Sequence, residues 1–151
     1  MTVTLAPGTP KKFRRTPWRF QQTVARPQDG DLSRFVSALI QGQDIIAGTV
    51  AFDGVVFNPA RLASLCPAGF PLIPDASISA GSAKDLHALL VAALADRADF
   101  LCIPTPKACV FYADNDDWIT FYANRKSHLH QVIAHLTAHG CPLVPDWRRE
   151  F

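Results

Sequence analysis

Two hydrophobic rhythms run along the chain, and most of its elements follow from where each starts and stops. Leu32, Phe35, Val36, Leu39 and Ile40 recur at helical spacing, the pattern of a helix with one face turned to a core. Asp31 stands at the N-cap of this helix over 32–41, and Gly42 stands where a left-handed residue would end it. Ser82-Ala-Lys-Asp85 is a capping-box-like start for a second helix, through Leu86, Leu89, Leu90, Ala93 and Leu94 to about Ala95. Ser127 is placed to cap another, running to His139 and closed by Gly140. Asn58-Pro59 opens a short one to about Leu65, because Pro is tolerated at a first helical position.

Shorter apolar runs read as strands. Phe100 to Ile103, Ala108 to Ala113 and Trp118 to Ala123 follow one another, bounded by turn residues. Residues 13–25 suggest a strand after Pro17. IIAGTVAF and VVF flank Asp53-Gly54, a strong signal for a type I′ hairpin. Pro67 to Ser79, with three prolines, reads as a long surface connection, and residues 1–12, with Pro7, Gly8 and Pro10, as a flexible N-terminal arm. In the proline-rich tail from Cys141, Trp147 and Phe151 are available to clamp it to the body. Hairpins mixed with helices, rather than strict βαβ alternation, predict one α+β domain over 13–151: a largely antiparallel sheet of hairpins packed with about four helices.

Composition narrows the class. A globule of 151 residues buries roughly 70% of the surface of its unfolded chain and needs no metal or disulfide merely to fold. Hydrophobic residues make up 48% and charged residues 19%, which is globular composition. The net charge of +2 offers no global argument for nucleic acid or membrane as partner, and no apolar run reaches the ~18 residues of a membrane span. The basic residues of MTVTLAPGTPKK follow the apolar part, the reverse of a secretory signal, so a cytoplasmic location is expected. Twelve of the thirteen acids are Asp, a residue of caps and turns. Cys66, Cys102, Cys109 and Cys141 contain no CxxC pair, and buried free thiols are the plain expectation in a reducing compartment.

Four stretches bear on chemistry. FYADNDDWITFYA, 111–123, sets aromatic halves around an acidic tip. An Asp/Asn-rich connection suits a hairpin turn. A calcium loop would need a glycine at its bend and a terminal Glu, and neither is present. Asp114, Asp116 and Asp117 beside Trp118, Tyr112 and Tyr122 also offer a partner protein charge and aromatic anchors. HLHQVIAHLTAHG places His128, His135 and His139 on one stripe, with His135 and His139 at the spacing two zinc ligands use, without the HExxH glutamate. Cys102 and Cys109 flank Pro104-Thr-Pro-Lys107, and a hairpin folded symmetrically there would set the thiols face to face. KKFRRTPWRF interleaves Lys11, Lys12, Arg14, Arg15 and Arg19 with Phe13, Trp18 and Phe20, a combination able to grip phosphates and stack bases. Walker A, GxGxxG, GxSxG and zincin motifs are absent from the sequence.

In size, α+β layout and the FYADNDDWITFYANR type of strand-turn-strand, residues 98–140 resemble the small bacterial immunity proteins that neutralise polymorphic or contact-dependent growth inhibition toxins. The resemblance implies a non-catalytic inhibitor, without cofactor or metal, that covers the active site of a cognate toxin domain, often a nuclease. It implies a cytoplasmic antitoxin acting as a monomer or weak dimer. The contacts expected on this basis are Asp114, Asp116, Asp117 and Trp118, the carboxylates standing in for substrate phosphates, with Tyr112 and Tyr122 beside them. Two alternatives come from other classes: a nucleic-acid-binding module using the basic segment 11–19, and a metal- or thiol-dependent enzyme using His135, His139 and one of Cys102, Cys109 or Cys141.

Overall fold

The computed structural model describes residues 1–66 and 72–150. In chain order the elements are β1 (Thr2–Leu5), α1 (Thr9–Arg15), β2 (Phe20–Ala25), α2 (Leu32–Gly42), β3 (Ala47–Phe52), β4 (Ala76–Ala80), α3 (Ala83–Ala95), β5 (Phe100–Thr105), β6 (Val110–Ala113), β7 (Trp118–Ala123), α4 (Lys126–Ala138) and β8 (Leu143–Val144). Short 3₁₀ turns occupy Asp29–Asp31 and Leu62–Ser64. The strands form one eight-stranded sheet in the order β1-β4-β3-β5-β6-β7-β2-β8, antiparallel at every pairing. The α+β expectation holds, with four helices and a single sheet among the described residues.

Alternation along the strands builds two cores of unequal size. Val50, Phe52, Phe100, Cys102, Phe111, Ile119 and Phe121 point to one face and join Leu32, Phe35, Leu39, Leu86, Leu89, Leu90, Val132 and Leu136 from α2, α3 and α4. Each fully buried large apolar side chain there contributes roughly 1.5–3 kcal/mol. The intervening positions, Leu101, Val110, Tyr112 and Tyr122, form a smaller aromatic core with Phe13 of α1 on the other face. Thr23 and Thr120, cross-strand partners on that second face, hydrogen-bond through their hydroxyls at 2.9 Å.

Several local expectations are corrected by the tertiary structure. Residues 1–12 are an edge strand and the first turn of a helix rather than an arm: Val3 lies opposite Ile78 and packs on the main core, while Gly8 (φ 85°) turns the chain so that Pro10 enters the first turn of α1. Asp53-Gly54 is not a hairpin turn. After β3 the Asp53 N–H donates to the Asp99 carbonyl at 2.8 Å, its carboxylate is taken by Tyr112 and Arg14, and β3 pairs instead with β4 and β5. The connection expected over 67–79 contains β4 from Ala76 onward; residues 67–71 lie outside the described residues, as does Phe151.

Caps also differ. Asp31 makes no side-chain cap, and Gly42 stays helical, its small size serving the packing of α2 on α4: a Cβ there would meet the His135 ring at 3.0 Å. Asp44, not Gly42, takes the left-handed conformation (φ 51°). The expected 58–65 helix shrinks to a 3₁₀ turn whose first amides, Arg61 and Leu62, donate to the Asp96 carboxylate. Arg125 precedes α4 in the cap position and Ser127 lies inside its first turn. Ser82 does cap α3, accepting from the Asp85 N–H at 3.1 Å, and Gly140 is left-handed after α4 (φ 85°).

Candidate functional site

The acidic turn between β6 and β7 is first of all a self-supporting turn. The Asp114 carboxylate accepts the Asp116 N–H at 2.9 Å, and the Asp116 carboxylate accepts the Trp118 N–H at 2.9 Å; two successive Asx turns replace the backbone pairing that the chain gives up here. Two arginines then hold it from outside. Arg26, just after β2, donates to the carbonyls of Asp114, Asp116 and Leu94. Arg149 of the tail lies 2.7 Å from Asp114 and 3.5 Å from Asp116, and donates to the Trp118 carbonyl at 3.0 Å and the Thr120 hydroxyl at 3.2 Å.

Electrostatics follow from this enclosure. Burial pushes the Asp114 carboxyl up, but hydrogen bonds from Asp116 and the Arg149 guanidinium outweigh it and hold the group below the usual value. Asp116 is raised, by burial and then by its neighbour Asp114. Arg26 is lowered by burial and by Arg97.

The six residues expected as partner contacts are therefore distributed unevenly. Tyr112 (5% exposed) and Tyr122 (3%) are buried in the second core, with Tyr112 stacked on Phe13 at 5.9 Å. Trp118 is half-buried against Trp147, ring centroids 5.8 Å apart. Asp114 and Asp116 are occupied by Arg149, and Asp117 stands exposed beside the exposed Asn115.

Asn115 also borders a cleft of about 510 Å3 that pattern reasoning missed, lined by Val55, Phe57, Arg61, Arg97 and Asp99 among others. Phe57 is 94% exposed and Val55 50%, an uncommon state for a large aromatic beside another apolar residue. The VVF run offered no way to foresee this, since a strand of a hairpin was the natural expectation for it. Asp99 sits at the base of this end of the sheet, accepting the Asn115 N–H at 3.2 Å. Burial first, then Asp114 and Asp53, raise its carboxyl above the ordinary value.

The remaining candidates separate. His135 and His139 have ring centroids 4.5 Å apart, but His139 Nδ1 bonds the His135 carbonyl at 2.8 Å, and no group of three potential metal ligands occurs among the described residues. His128 lies at the other end of α4. Cys102 pairs in register with Phe111, not Cys109, because the β5–β6 connection closes asymmetrically. Burial raises both thiols, Cys109 up to about 12 and Cys102 further. Of the basic segment, Phe13 is buried and Arg14 is paired with Asp53 at 2.5 Å, while Lys11, Lys12, Arg15 and Arg19 are exposed.

Ser33, Ser37 and His87 meet between α2 and α3, with His87 Nε2 at 3.3 and 3.2 Å from the two hydroxyls. The same nitrogen lies 3.1 Å from the Ser33 carbonyl, which can only accept. The contact to the carbonyl calls for the tautomer with a proton on Nε2, in which this nitrogen donates. No family model matches the chain, and neither a curated protein nor a solved structure shows significant similarity to it.

Proposed function

We propose that the protein is a non-catalytic binding protein that occupies another protein, and specifically an immunity protein that neutralises a cognate bacterial toxin domain in the cytoplasm. No helix among the described residues is long and apolar enough to cross a membrane, which accords with a partner met in solution. The observation that carries the reading is Phe57, 94% exposed at the mouth of the 510 Å3 cleft. An exposed aromatic beside Val55 supplies the apolar anchor of a protein interface, and the lining around it mixes charge, Arg61 and Arg97 with Asp96 and Asp99; Asp117 stands exposed two residues beyond Asn115, which borders the cleft. Such an arrangement gives affinity at the centre and partner selection at the rim.

Enclosure of Asp114 and Asp116 by Arg149 moves the expected contact away from those two carboxylates. In this reading the turn is a rigid wall, and Asp117 carries the acidic contribution toward a basic toxin cleft, as a substrate phosphate would. The test is co-expression with any toxin domain found encoded beside this chain, with growth rescue and complex stoichiometry as readouts. Rescue with a 1:1 complex is expected, both lost in Phe57→Asp while that variant melts like the parent. A neighbouring toxin that neither binds nor is neutralised, or a complex indifferent to Phe57→Asp, overturns the assignment or its surface respectively.

A further inference from the structure

At the end of the β6–β7 hairpin opposite the acidic turn, two adjoining cavities of about 210 and 290 Å3 share Thr16, Trp18, Lys107 and Val110. Lys12 borders the first, Arg125 and His128 the second. The residues come from three separate places: the end of α1 and the segment after it, the β5–β6 connection, and the start of α4. No acidic residue lines either cavity among the described residues. Lys12, Lys107 and Arg125 are exposed, and among the described residues the ion pairs involve Arg14, Arg34 and Arg149 instead.

In a chain of net charge only +2, unpartnered cations converging on a recess create a local positive potential that the molecule itself leaves unneutralised. The start of α4 adds to it, since Arg125 sits in the cap position without a side-chain cap for the first amides. Trp18 makes the shared wall. Its indole N–H donates to the Phe13 carbonyl at 3.3 Å, and its ring lies 5.9 Å from Phe13 and 6.1 Å from Tyr122, so a half-buried aromatic is held in fixed orientation beside the cations.

We propose that this double cavity binds a phosphate-bearing ligand of nucleotide size, with Lys107 and Arg125 holding the phosphate and Trp18 forming the apolar wall for a base. Cations supply charge-assisted hydrogen bonds to phosphate oxygens, and an aromatic wall accepts any base face. The site lies at the other end of the hairpin from Phe57 and stands independently of the proposed protein interface.

The experiment is a titration of the ¹⁵N-labelled full chain with inorganic phosphate, AMP and a short single-stranded oligoadenylate at constant ionic strength, reading the indole resonances of the three tryptophans. A saturable AMP-dependent shift of the Trp18 indole is expected. Affinity should fall roughly ten-fold or more in Lys107→Glu and in Arg125→Glu, the loss of a hydrogen bond to a charged group, and stay unchanged in Lys11→Glu. Competition by inorganic phosphate supports the anion half of the site, and tighter oligoadenylate binding with the same variant dependence assigns the phosphate to a strand. The proposal is overturned by the absence of saturable binding from all three probes, or by an equal loss in Lys11→Glu. Melting curves establish that each variant is folded.

Discussion

The Arg149 guanidinium lies 2.7 Å from the Asp114 carboxylate while passing 5.1 Å from the centre of the Tyr112 ring. One tail residue thus joins the acidic turn to the aromatic core on the second face of the sheet. Its side chain is 5% exposed, and its further contacts to Thr120 and the Trp118 carbonyl are internal. Arg149→Ala leaves a half-buried carboxylate pair without its cation. Removing one partner of a buried ion pair costs roughly 3–5 kcal/mol, and the exposure of Asp114 and Asp116 places the expected value toward the lower end, about 3 kcal/mol. Asp117→Ala, by contrast, should fall within about 0.5 kcal/mol of the parent, as exposed substitutions do. Denaturant unfolding of both variants checks the ordering, and equal midpoints would mean that Arg149 does not hold the turn.

Tyr112 supplies a second, separable link. Its hydroxyl donates to Asp53 at 2.6 Å, and the same carboxylate receives Arg14 at 2.5 Å, so Asp53 ties α1 to the strand beneath it. Burial first, and then the bond to Asp53, push the Tyr112 hydroxyl far above its ordinary value, so it remains a donor across the physiological range. Tyr112→Phe should cost about 1.5–3 kcal/mol, the range for a hydrogen bond to a charged group, with the ring packing on Phe13 kept. In a double-mutant cycle with Arg14→Ala, the two losses should fail to add, since both act through one carboxylate.

These two links show why the sequence was only partly legible. Periodicity located α2, α3, α4 and β5 to β7 because their patterns are local and their buried faces agree with them. The acidic turn was also legible, since Asx residues close turns by bonding to their own backbone. What escaped was long-range. Arg149 and Asp114 are 35 positions apart, and Asp53 and Tyr112 are 59 apart, so no pattern in either segment signals the pairings that occupy Asp114 and Asp53. Asp53-Gly54 fails as a hairpin for the same reason: its carboxylate is claimed by α1 and β6, and β3 finds better partners in β4 and β5. The exposure of Phe57 is likewise set by what does not pack over it, which a hydrophobic run cannot announce.

Acid titration separates Asp114 from Asp99, whose carboxyls move in opposite directions. Asp114 is held below its ordinary value, so its ionised form stabilises the fold above the unfolded pKa, and that contribution is lost as pH falls through the folded one. Asp99 is raised; its ionisation costs stability as pH climbs from the unfolded to the folded value, and the cost persists above both. Asp99→Asn keeps an oxygen for the Asn115 N–H and removes the charge. It should melt higher than the parent at pH 7, with the gain disappearing below the ordinary Asp value of about 4. Asp114→Asn should melt lower at pH 7, with its deficit shrinking as the pH is taken below that same value. Melting curves from pH 2.5 to 8 read both, and a destabilised Asp99→Asn at neutral pH would show that its charge is engaged rather than merely buried.

The thiols provide a kinetic test that bears on the enzyme alternative. Only a thiolate attacks a disulfide reagent, and burial raises all four cysteines, Cys109 up to about 12 and Cys102 beyond that. Cys66 alone is partly accessible, while Cys102, Cys109 and Cys141 are buried. With an aromatic disulfide reagent at pH 8, one thiol, Cys66, should react in the native protein, and the Cys66→Ser variant should lose that fast phase. The other three should react only as the chain opens, their rate following denaturant in parallel with unfolding. A native-state reaction of Cys102 or Cys109 as fast as that of Cys66 would mean that the strand-end environment is open and its thiolate accessible, and would favour the thiol-dependent enzyme over the inhibitor.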